Sequence, residues 1–319
     1  MVPDSGTIAQ TPSTEEATLR TDKEGLSHTE RSAAREHPAL TALRGEDSGL
    51  IVGISWLPPG FHERREAAGG PAESLTLVAQ TLDLDFAFVP AEERWAPEAV
   101  HRLRDEGIAS LWAVPGVLCR VGDRLGWAEM LRLTAAEPGE LAAPLAEALH
   151  ATLQSCREGI SAGVDVVLLA DDLAGAVGPL VSPDYVLDAL MPCYRAVAAE
   201  VLGRGVAVAF HSDGDVRALM PSLARAGYSA IHLAGIASDA LAASIDAASA
   251  SGLVAIGGVA GAALGDDPAT AGSAAGLLAR ERGLLVCDDG GIATPDDLTG
   301  YSLAVEAARE AYAQEPSRD

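Results

Sequence analysis

From residue 49 onward, short apolar runs alternate along the chain with longer amphipathic segments. Each run is almost continuous in apolar residues, which is typical of strands that are buried on both faces. The segments between the runs are long enough to form helices. The sequence therefore predicts eight strands, at residues 50–56, 86–90, 109–115, 165–170, 206–211, 230–233, 253–256 and 284–287.

Glycine and capping residues mark the ends of the predicted helices. A glycine, which ends a helix readily in the left-handed conformation, stands one or two residues before six of the strands. Ser182-Pro183-Asp184 and Thr294-Pro295-Asp296 each combine a cap, a first-turn proline and an acid at a helix start. Eight β–α units predict an α/β fold of the (β/α)8 TIM-barrel type. An open doubly wound sheet is the alternative, although the first βα junction has no GxGxxG motif.

The first 48 residues differ in composition from the rest of the chain. They are rich in Ser, Thr, Glu and Pro and have little periodic apolar content. We therefore expect a polar N-terminal tail over residues 1–48, largely disordered or with one helix near residues 27–44, and a single barrel domain over residues 49–319. The stretch 116–164 is too long for one helix, so it should hold two helices, or one helix and an insertion.

The charge balance excludes several classes of partner. The chain has 22 basic and 46 acidic residues, which gives a formal net charge of −24. Such a surface repels phosphate backbones and anionic membranes, so we expect neither nucleic acid nor a membrane as a partner. Lys23, the only lysine, lies in the tail, which excludes a P-loop. Four dispersed cysteines and no secretory signal favour a cytoplasmic location.

Acidic residues and histidine collect where the predicted strands end. Asp171 and Asp172 follow strand 4, His211 and Asp213 end strand 5, and Asp289 follows strand 8. Barrel enzymes place their active sites at this carboxyl face, and neighbouring carboxylates require a cation, a proton or hydrogen-bond donors. We expect catalysis to depend on Asp171, Asp172, His211 and Asp213, with His211 as general base or metal ligand and Asp213 as its partner.

Several of these residues also have structural interpretations. Asp171 or Asp172 could cap the following helix, and so could Asp213. His232 is either a core histidine or a substrate contact, and Glu92 is either a solvated loop acid or a substrate contact. The other substrate contacts expected at this face are Trp56, Phe61, Asp289 and Gly290.

Several stretches resemble the uroporphyrinogen decarboxylase (URO-D) superfamily. Phe210-His211-Ser212-Asp213-Gly214 and Asp289-Gly290-Gly291-Ile292 are the clearest of them. The resemblance extends over about residues 50–315 and is best from residue 163 onward. It implies a (β/α)8 barrel, in agreement with the eight strands predicted from the apolar pattern.

The resemblance implies one of two kinds of chemistry, that of the decarboxylases or that of the methyltransferases. The chain lacks some of the motif residues of both branches. The decarboxylases hold their substrate with arginines after strand 1, where Trp56 and Gly60 stand here. They also have a histidine in the strand 8 motif, where this chain has Gly290. The corrinoid-dependent methyltransferases bind zinc through His-x-Cys after strand 5 and a cysteine in strand 8. Here His211 matches, whereas Asp213 and Gly290 replace the cysteines.

The resemblance implies an enzyme closer to the methyltransferase branch, acting on a small molecule. A divalent metal held by His211, Asp213 and Asp289 and a corrinoid methyl donor are the candidate cofactors. The expected partners are a small-molecule substrate, a corrinoid protein and a second copy of the chain in a homodimer. Two alternatives stay open. One is a cofactor-free decarboxylase, and the other is a non-catalytic barrel that binds a corrinoid or another metabolite.

Overall fold

The strands form a closed parallel barrel. The structure, a computed structural model, describes residues 37–46, 48–55, 57, 61, 70–175 and 178–314. Each strand pairs with the next one in the chain, and Val52 pairs with Val286, so the last strand meets the first. The predicted (β/α)8 barrel is therefore confirmed. The strands are β1 Gly53–Ile54, β2 Phe86–Pro90, β3 Ala109–Pro115, β4 Val166–Ala170, β5 Ala207–Asp213, β6 Ala230–Ala234, β7 Val254–Val259 and β8 Leu285–Asp288.

Helices connect the strands. They are α1 Pro38–Ala42, α2 Gly70–Thr81, α3 Ala96–Asp105, α4 Val117–Leu125, α5 Trp127–Ala136, α6 Ala142–Ala162, α7 Pro183–Tyr185, α8 Met191–Leu202, α9 Met220–Ala226, α10 Ser238–Ser251, α11 Ala263–Asp266, α12 Pro268–Arg282 and α13 Pro295–Ala313. The stretch between β3 and β4 thus holds three helices, where two helices, or one helix and an insertion, were expected. A two-stranded antiparallel pair, Ala174–Gly175 with Gly178–Pro179, follows β4. None of the described helices has the length and apolar character that a bilayer crossing requires.

The apolar side chains form two layers, one on each face of the barrel wall. Phe88, Leu111 and Leu168 belong to a buried cluster inside the barrel. Their neighbours along the strands, such as Trp112 and Val167, belong to the cluster between the strands and the helices. Successive side chains of a strand point to opposite faces, so both faces of each strand are buried. This two-sided burial is the reason that the strands have almost continuous apolar sequences.

Helix α1 covers the amino end of the barrel. Ala39, Ala42 and Leu43 are buried in the interior cluster together with Phe86, the first residue of β2. The side chain of His37 caps this helix by accepting a hydrogen bond from the Ala39 amide. The helix lies inside the segment 27–44 for which a helix was expected. Residues 1–36, the remainder of that segment included, lie outside the described residues.

Candidate functional site

Three side chains at the ends of β4 and β5 converge at the carboxyl face of the barrel. The Nε2 atom of His211 lies 3.7 Å from Oδ1 of Asp172 and 3.9 Å from Oδ1 of Asp213. One ligand atom from each residue lies within 4.8 Å of the other two. Ala170 is in register with His211, and the Asp213 amide donates a hydrogen bond to Asp172, so the strand pairing itself brings these residues together. We call Asp172, His211 and Asp213 the β4–β5 cluster.

Burial sets the protonation of these groups. It holds the pKa of His211 well below its ordinary value, with the neighbouring His232 as a smaller cause, and it also lowers the pKa of His232. Burial raises the pKa of Asp172. Burial, followed by the charges of Asp172 and Asp289, raises the pKa of Asp213 to about 6. At neutral pH the cluster therefore combines the neutral imidazole of His211 with the carboxylate of Asp213.

The hydrogen bonds of His232 determine which nitrogen of His211 carries the proton. Nε2 of His232 lies 2.9 Å from the backbone carbonyl oxygen of Asp288, which can only accept, so this nitrogen is protonated. Nδ1 of the neutral His232 ring is then an acceptor, and it lies 2.8 Å from Nδ1 of His211. His211 therefore donates from Nδ1, and its Nε2 lone pair is on the side of the two carboxylates. A cation or a shared proton would stabilise this arrangement of acceptors.

Asp171 has a different place from that of its neighbour Asp172. Its side chain is completely buried, and its oxygens accept hydrogen bonds from the amides of Leu118 and Cys119 and from the hydroxyl of Tyr194, at 3.0, 2.7 and 2.8 Å. Leu118 and Cys119 lie in the first turn of α4, so Asp171 caps this helix from the adjacent strand. The capping interpretation thus describes Asp171, although the capped helix precedes it in the chain.

Asp288, at the end of β8, holds β1 and β8 together. It is completely buried, and it accepts hydrogen bonds from the Ser55 amide at 2.8 Å, the Ser55 hydroxyl at 2.5 Å and the Gly290 amide at 2.9 Å. Gly290 itself has a φ of 98°, which favours glycine. Three donors to one buried carboxylate give Asp288 a structural role in closing the barrel.

Asp289 does not belong to the β4–β5 cluster. Its Oδ1 accepts a hydrogen bond from the Gly261 amide at 2.7 Å. Its charge nevertheless contributes to the raised pKa of Asp213. The sequence suggested Asp289 as the third ligand beside His211 and Asp213, whereas the ligand atoms that lie within 4.8 Å of one another belong to Asp172, His211 and Asp213.

The expected substrate contacts are dispersed. Glu92 forms an ion pair with Arg120 at 2.6 Å, and its side chain is 59% exposed. Phe61 is completely buried in the hydrophobic core. His232 is completely buried as well and contacts His211. Trp56 lies outside the described residues.

Cys119 is a neighbour of the cluster that the sequence reasoning missed. Its sulfur accepts a hydrogen bond from the Asp172 amide at 3.4 Å, and its side chain is partly buried. Burial, with the charge of Asp171 as the next cause, raises the pKa of its thiol. The signal was present, because β3 ends at Pro115 and Cys119 follows four residues later, in the first helical turn at the same carboxyl face.

Comparisons with known proteins agree with this fold. A methyltransferase from Methanosarcina mazei superposes with a TM-score of 0.68 and 19% sequence identity, over 86% of this chain and 98% of that chain. A D-psicose 3-epimerase from Clostridium cellulolyticum H10 superposes with a TM-score of 0.54 and 12% identity, over 82% of this chain and 99% of that chain. At such identities the likeness extends to the fold alone. No curated protein matches the chain significantly.

The family assignment comes from the sequence match. The family model for uroporphyrinogen decarboxylase (URO-D) matches residues 107–275, which is more than half of the chain. The matched range runs from β3 to β7 and contains the whole β4–β5 cluster. The chain therefore belongs to the uroporphyrinogen decarboxylase family.

Proposed function

We propose that this protein is an enzyme that holds a divalent cation in the β4–β5 cluster and transfers a methyl group to a small substrate at the barrel mouth. The observation that supports it is the convergence of His211 Nε2 with oxygens of Asp172 and Asp213. Within the described part of the chain, no arginine forms an ion pair with either carboxylate. We favour methyl transfer over other reactions of the family because His211 stands where the methyltransferase resemblance has its metal-binding histidine.

The donor set suits a hard or borderline cation. One imidazole nitrogen and two carboxylate oxygens are ligands that Mg²⁺, Mn²⁺, Fe²⁺ and Zn²⁺ accept. The tautomer of His211 fits this role, since the nitrogen on the side of the carboxylates has the lone pair. Asp213 fits it as well, because a cation would offset the burial and the neighbouring negative charges that raise its pKa. This donor set differs from the thiolate-rich zinc site that the methyltransferase resemblance implies. The substrate group that attacks the methyl donor is therefore expected to differ from the one that such a zinc site activates.

The side chains of the cluster have distinct roles in this proposal. A bound divalent cation would supply Lewis-acid activation of a hydroxyl, amine or thiol of the substrate. Asp213, with a side chain that is 51% exposed, lies where an entering substrate can reach it, and the carboxylate oxygen that does not bind the cation would take the proton of the methyl acceptor. Asp172 is less exposed. It accepts a hydrogen bond from the backbone amide of Asp213 and thereby orients Asp213. The methyl donor, a methylcobamide by the resemblance, stays a prediction.

The metal content of the protein tests this proposal. The full chain, purified without tag or chelator, should contain nearly one equivalent of a divalent metal by plasma mass spectrometry. Asp172→Asn and Asp213→Asn remove a charge without changing side-chain volume, and each should weaken Mn²⁺ binding by 100-fold or more, as in sites that lose a ligand (on the order of 2–3 kcal/mol).

Asp215→Asn is the matched control, because Asp215 lies on the same loop and pairs with Arg217 at 2.6 Å. Its affinity for Mn²⁺ should equal that of the native chain. Activity is then assayed with methylcobalamin and a panel of small thiols, amines and alcohols. Equal metal affinity in the native chain and in the Asp172→Asn variant would contradict the proposal.

Cofactor-free decarboxylation is the second candidate. It is favoured by the pKa of Asp213, which is raised to about 6 and lets the carboxyl group exchange a proton near neutral pH. In this case Asp213 would protonate the carbon that loses carbon dioxide. Incubation with uroporphyrinogen, followed by chromatography of the products, distinguishes this reaction from methyl transfer. Product formation that is unaffected by chelators would favour it.

A further inference from the structure

A chain of hydrogen bonds runs from the junction of β1 and β8 to the β4–β5 cluster. The Ser55 amide and hydroxyl donate to the carboxylate of Asp288. The backbone carbonyl of Asp288 accepts from Nε2 of His232, and Nδ1 of His232 accepts from Nδ1 of His211. Ser55, Asp288 and His232 are all buried, at 0% exposure. The last link, His211, is the one histidine of the cluster.

Each link of this chain has a fixed direction. The carbonyl oxygen of Asp288 can only accept, so it selects the tautomer of His232 with the proton on Nε2. That tautomer presents an acceptor at Nδ1, and it selects in turn the tautomer of His211 with the proton on Nδ1. The carboxylate of Asp288 holds three donors, which fixes the position of the carbonyl group in the same residue.

Strand register and packing hold the two rings together. His211 and His232 are partners in the parallel pairing of β5 with β6. Their rings are stacked, with centroids 5.0 Å apart and an interplanar angle of 28°. The ring of His232 also packs edge-to-face with the ring of Phe88, with centroids 5.0 Å apart. The ring of His232 therefore has one orientation available to it, and substrate cannot reach it.

We propose that His232 is a positioning residue that keeps the proton of His211 on Nδ1 and so presents Nε2 to the cation site. The cation itself rests on the proposed function, whereas the selected tautomer does not. Outer hydrogen-bond partners of metal-binding histidines commonly fix the tautomer and the ring orientation in this way, and their loss typically weakens metal binding about 10- to 100-fold.

Nitrogen NMR on the full native chain tests the tautomer without any added metal. Long-range proton–nitrogen correlation of histidine labelled with ¹⁵N distinguishes protonated from unprotonated ring nitrogens. We expect His211 to be protonated on Nδ1 and His232 on Nε2, with each ring assigned by the loss of its signals in the His211→Asn and His232→Asn variants. A proton on Nε2 of His211 would overturn the proposal.

Two substitutions of His232 separate positioning from packing. His232→Leu fills the space but has no acceptor, and it should raise the Kd for Mn²⁺ about 10- to 100-fold while populating both tautomers of His211. His232→Asn can place an amide oxygen near the position of Nδ1, so it should restore the Nδ1–H tautomer and most of the affinity. His101→Leu, at an exposed position of α3, is the control and should change neither.

The outcomes separate this proposal from the proposed function. A native chain that shows the expected tautomers but binds no metal contradicts the cation site and supports the role of His232. A folded His232→Leu variant with native affinity and an unchanged tautomer overturns that role. If His232→Leu does not fold, the tautomers of the native chain and the His232→Asn variant decide the matter.

Discussion

Two pairs of aspartates end strands on this barrel, and within each pair the two residues differ. At β4, Asp171 is completely buried and holds three donors, whereas the side chain of Asp172 is 37% exposed and lies beside His211. At β8, Asp288 is completely buried and also holds three donors, whereas Asp289 is partly exposed. The first aspartate of each pair stabilises the fold, and the second is available at the barrel mouth.

The difference lies in what surrounds each carboxylate. Amide and hydroxyl donors offset the charge of Asp171 and Asp288 inside the protein, as burial of a charge requires. Asp172 has mainly the negative Asp213 and the neutral His211 as neighbours, an arrangement that favours a ligand. The same residue type at adjacent positions thus serves stability in one case and, by our proposal, chemistry in the other.

The largest effect should come from the pair at β4. Asp171→Ala leaves two amides of α4 and the Tyr194 hydroxyl without their acceptor, so we expect it to lower the free energy of unfolding by about 3–5 kcal/mol. Asp172→Ala removes a carboxylate that lies near another, and it should change the free energy of unfolding by less than about 0.5 kcal/mol. Urea denaturation of both variants measures this contrast, and equal losses would contradict it.

The pair at β8 should show a smaller contrast. Asp288→Ala should lower the free energy of unfolding by about 2–4 kcal/mol, because the amide and the hydroxyl of Ser55 lose their acceptor. These hydrogen bonds join the end of β1 to β8. Asp289→Ala removes one acceptor, that of the Gly261 amide, and should cost about 1 kcal/mol. Urea denaturation also checks this pair. A greater loss in Asp289→Ala than in Asp288→Ala would show that the roles are reversed.

Part of this arrangement could be predicted from the sequence. Burial on both faces makes the strands apolar, so all eight strands could be located, and strand ends then identified Asp171, Asp172, His211 and Asp213 as residues of one face. Which aspartate of a pair turns inward depends on donors that are distant in sequence. Asp171 meets amides of α4 more than 50 positions away, and no local pattern indicates them.

The sequence identified Asp172 as a site residue, but it could not show that Asp172 rather than Asp289 lies beside His211 and Asp213. Asp289 and Asp172 both lie within two residues of the end of a strand, so sequence position does not distinguish them. The Gly261 amide, which lies in the loop after β7, binds Asp289. The backbone amide of Asp213 donates to Asp172 and thereby places Asp172 in the cluster.

The pH dependence of metal binding should distinguish the roles of Asp213 and Asp289. Metal binding requires the carboxylate form of Asp213, whose pKa is raised to about 6. The affinity for Mn²⁺ should therefore be nearly constant above pH 6 and fall about tenfold for each pH unit below it (roughly 1.4 kcal/mol). Calorimetric titrations between pH 5 and pH 7.5 measure this profile.

Asp289→Asn sharpens that measurement. If Asp289 acts on Asp213 through its charge alone, its removal should move the break in the profile to lower pH and leave the affinity at neutral pH almost unchanged. Asp215 forms an ion pair with Arg217, so Asp215→Asn should not change the pH at which the affinity for Mn²⁺ begins to fall. A loss of affinity at every pH in Asp289→Asn would instead identify Asp289 as a ligand.

The smallest effect should come from Glu92, a carboxylate that lies two residues after the end of β2. Its side chain is 59% exposed and pairs with Arg120, whose Nε also donates to the Pro115 carbonyl and the Thr152 hydroxyl. Exposed ion pairs contribute about 0–1 kcal/mol, so Glu92→Gln should lower the free energy of unfolding by less than about 1 kcal/mol.

Because Glu92 has a cation of its own, Glu92→Gln should not change the affinity for Mn²⁺, in contrast to Asp172→Asn. Calorimetry on both variants at pH 7 makes the comparison. A weakened metal site in Glu92→Gln would mean that carboxylates beyond β4 and β5 act on the cation. The contrast between Glu92, which pairs with Arg120, and Asp172 of the β4–β5 cluster would then fail. An acid that already has an arginine partner would influence the metal site in the same way as an acid that has none.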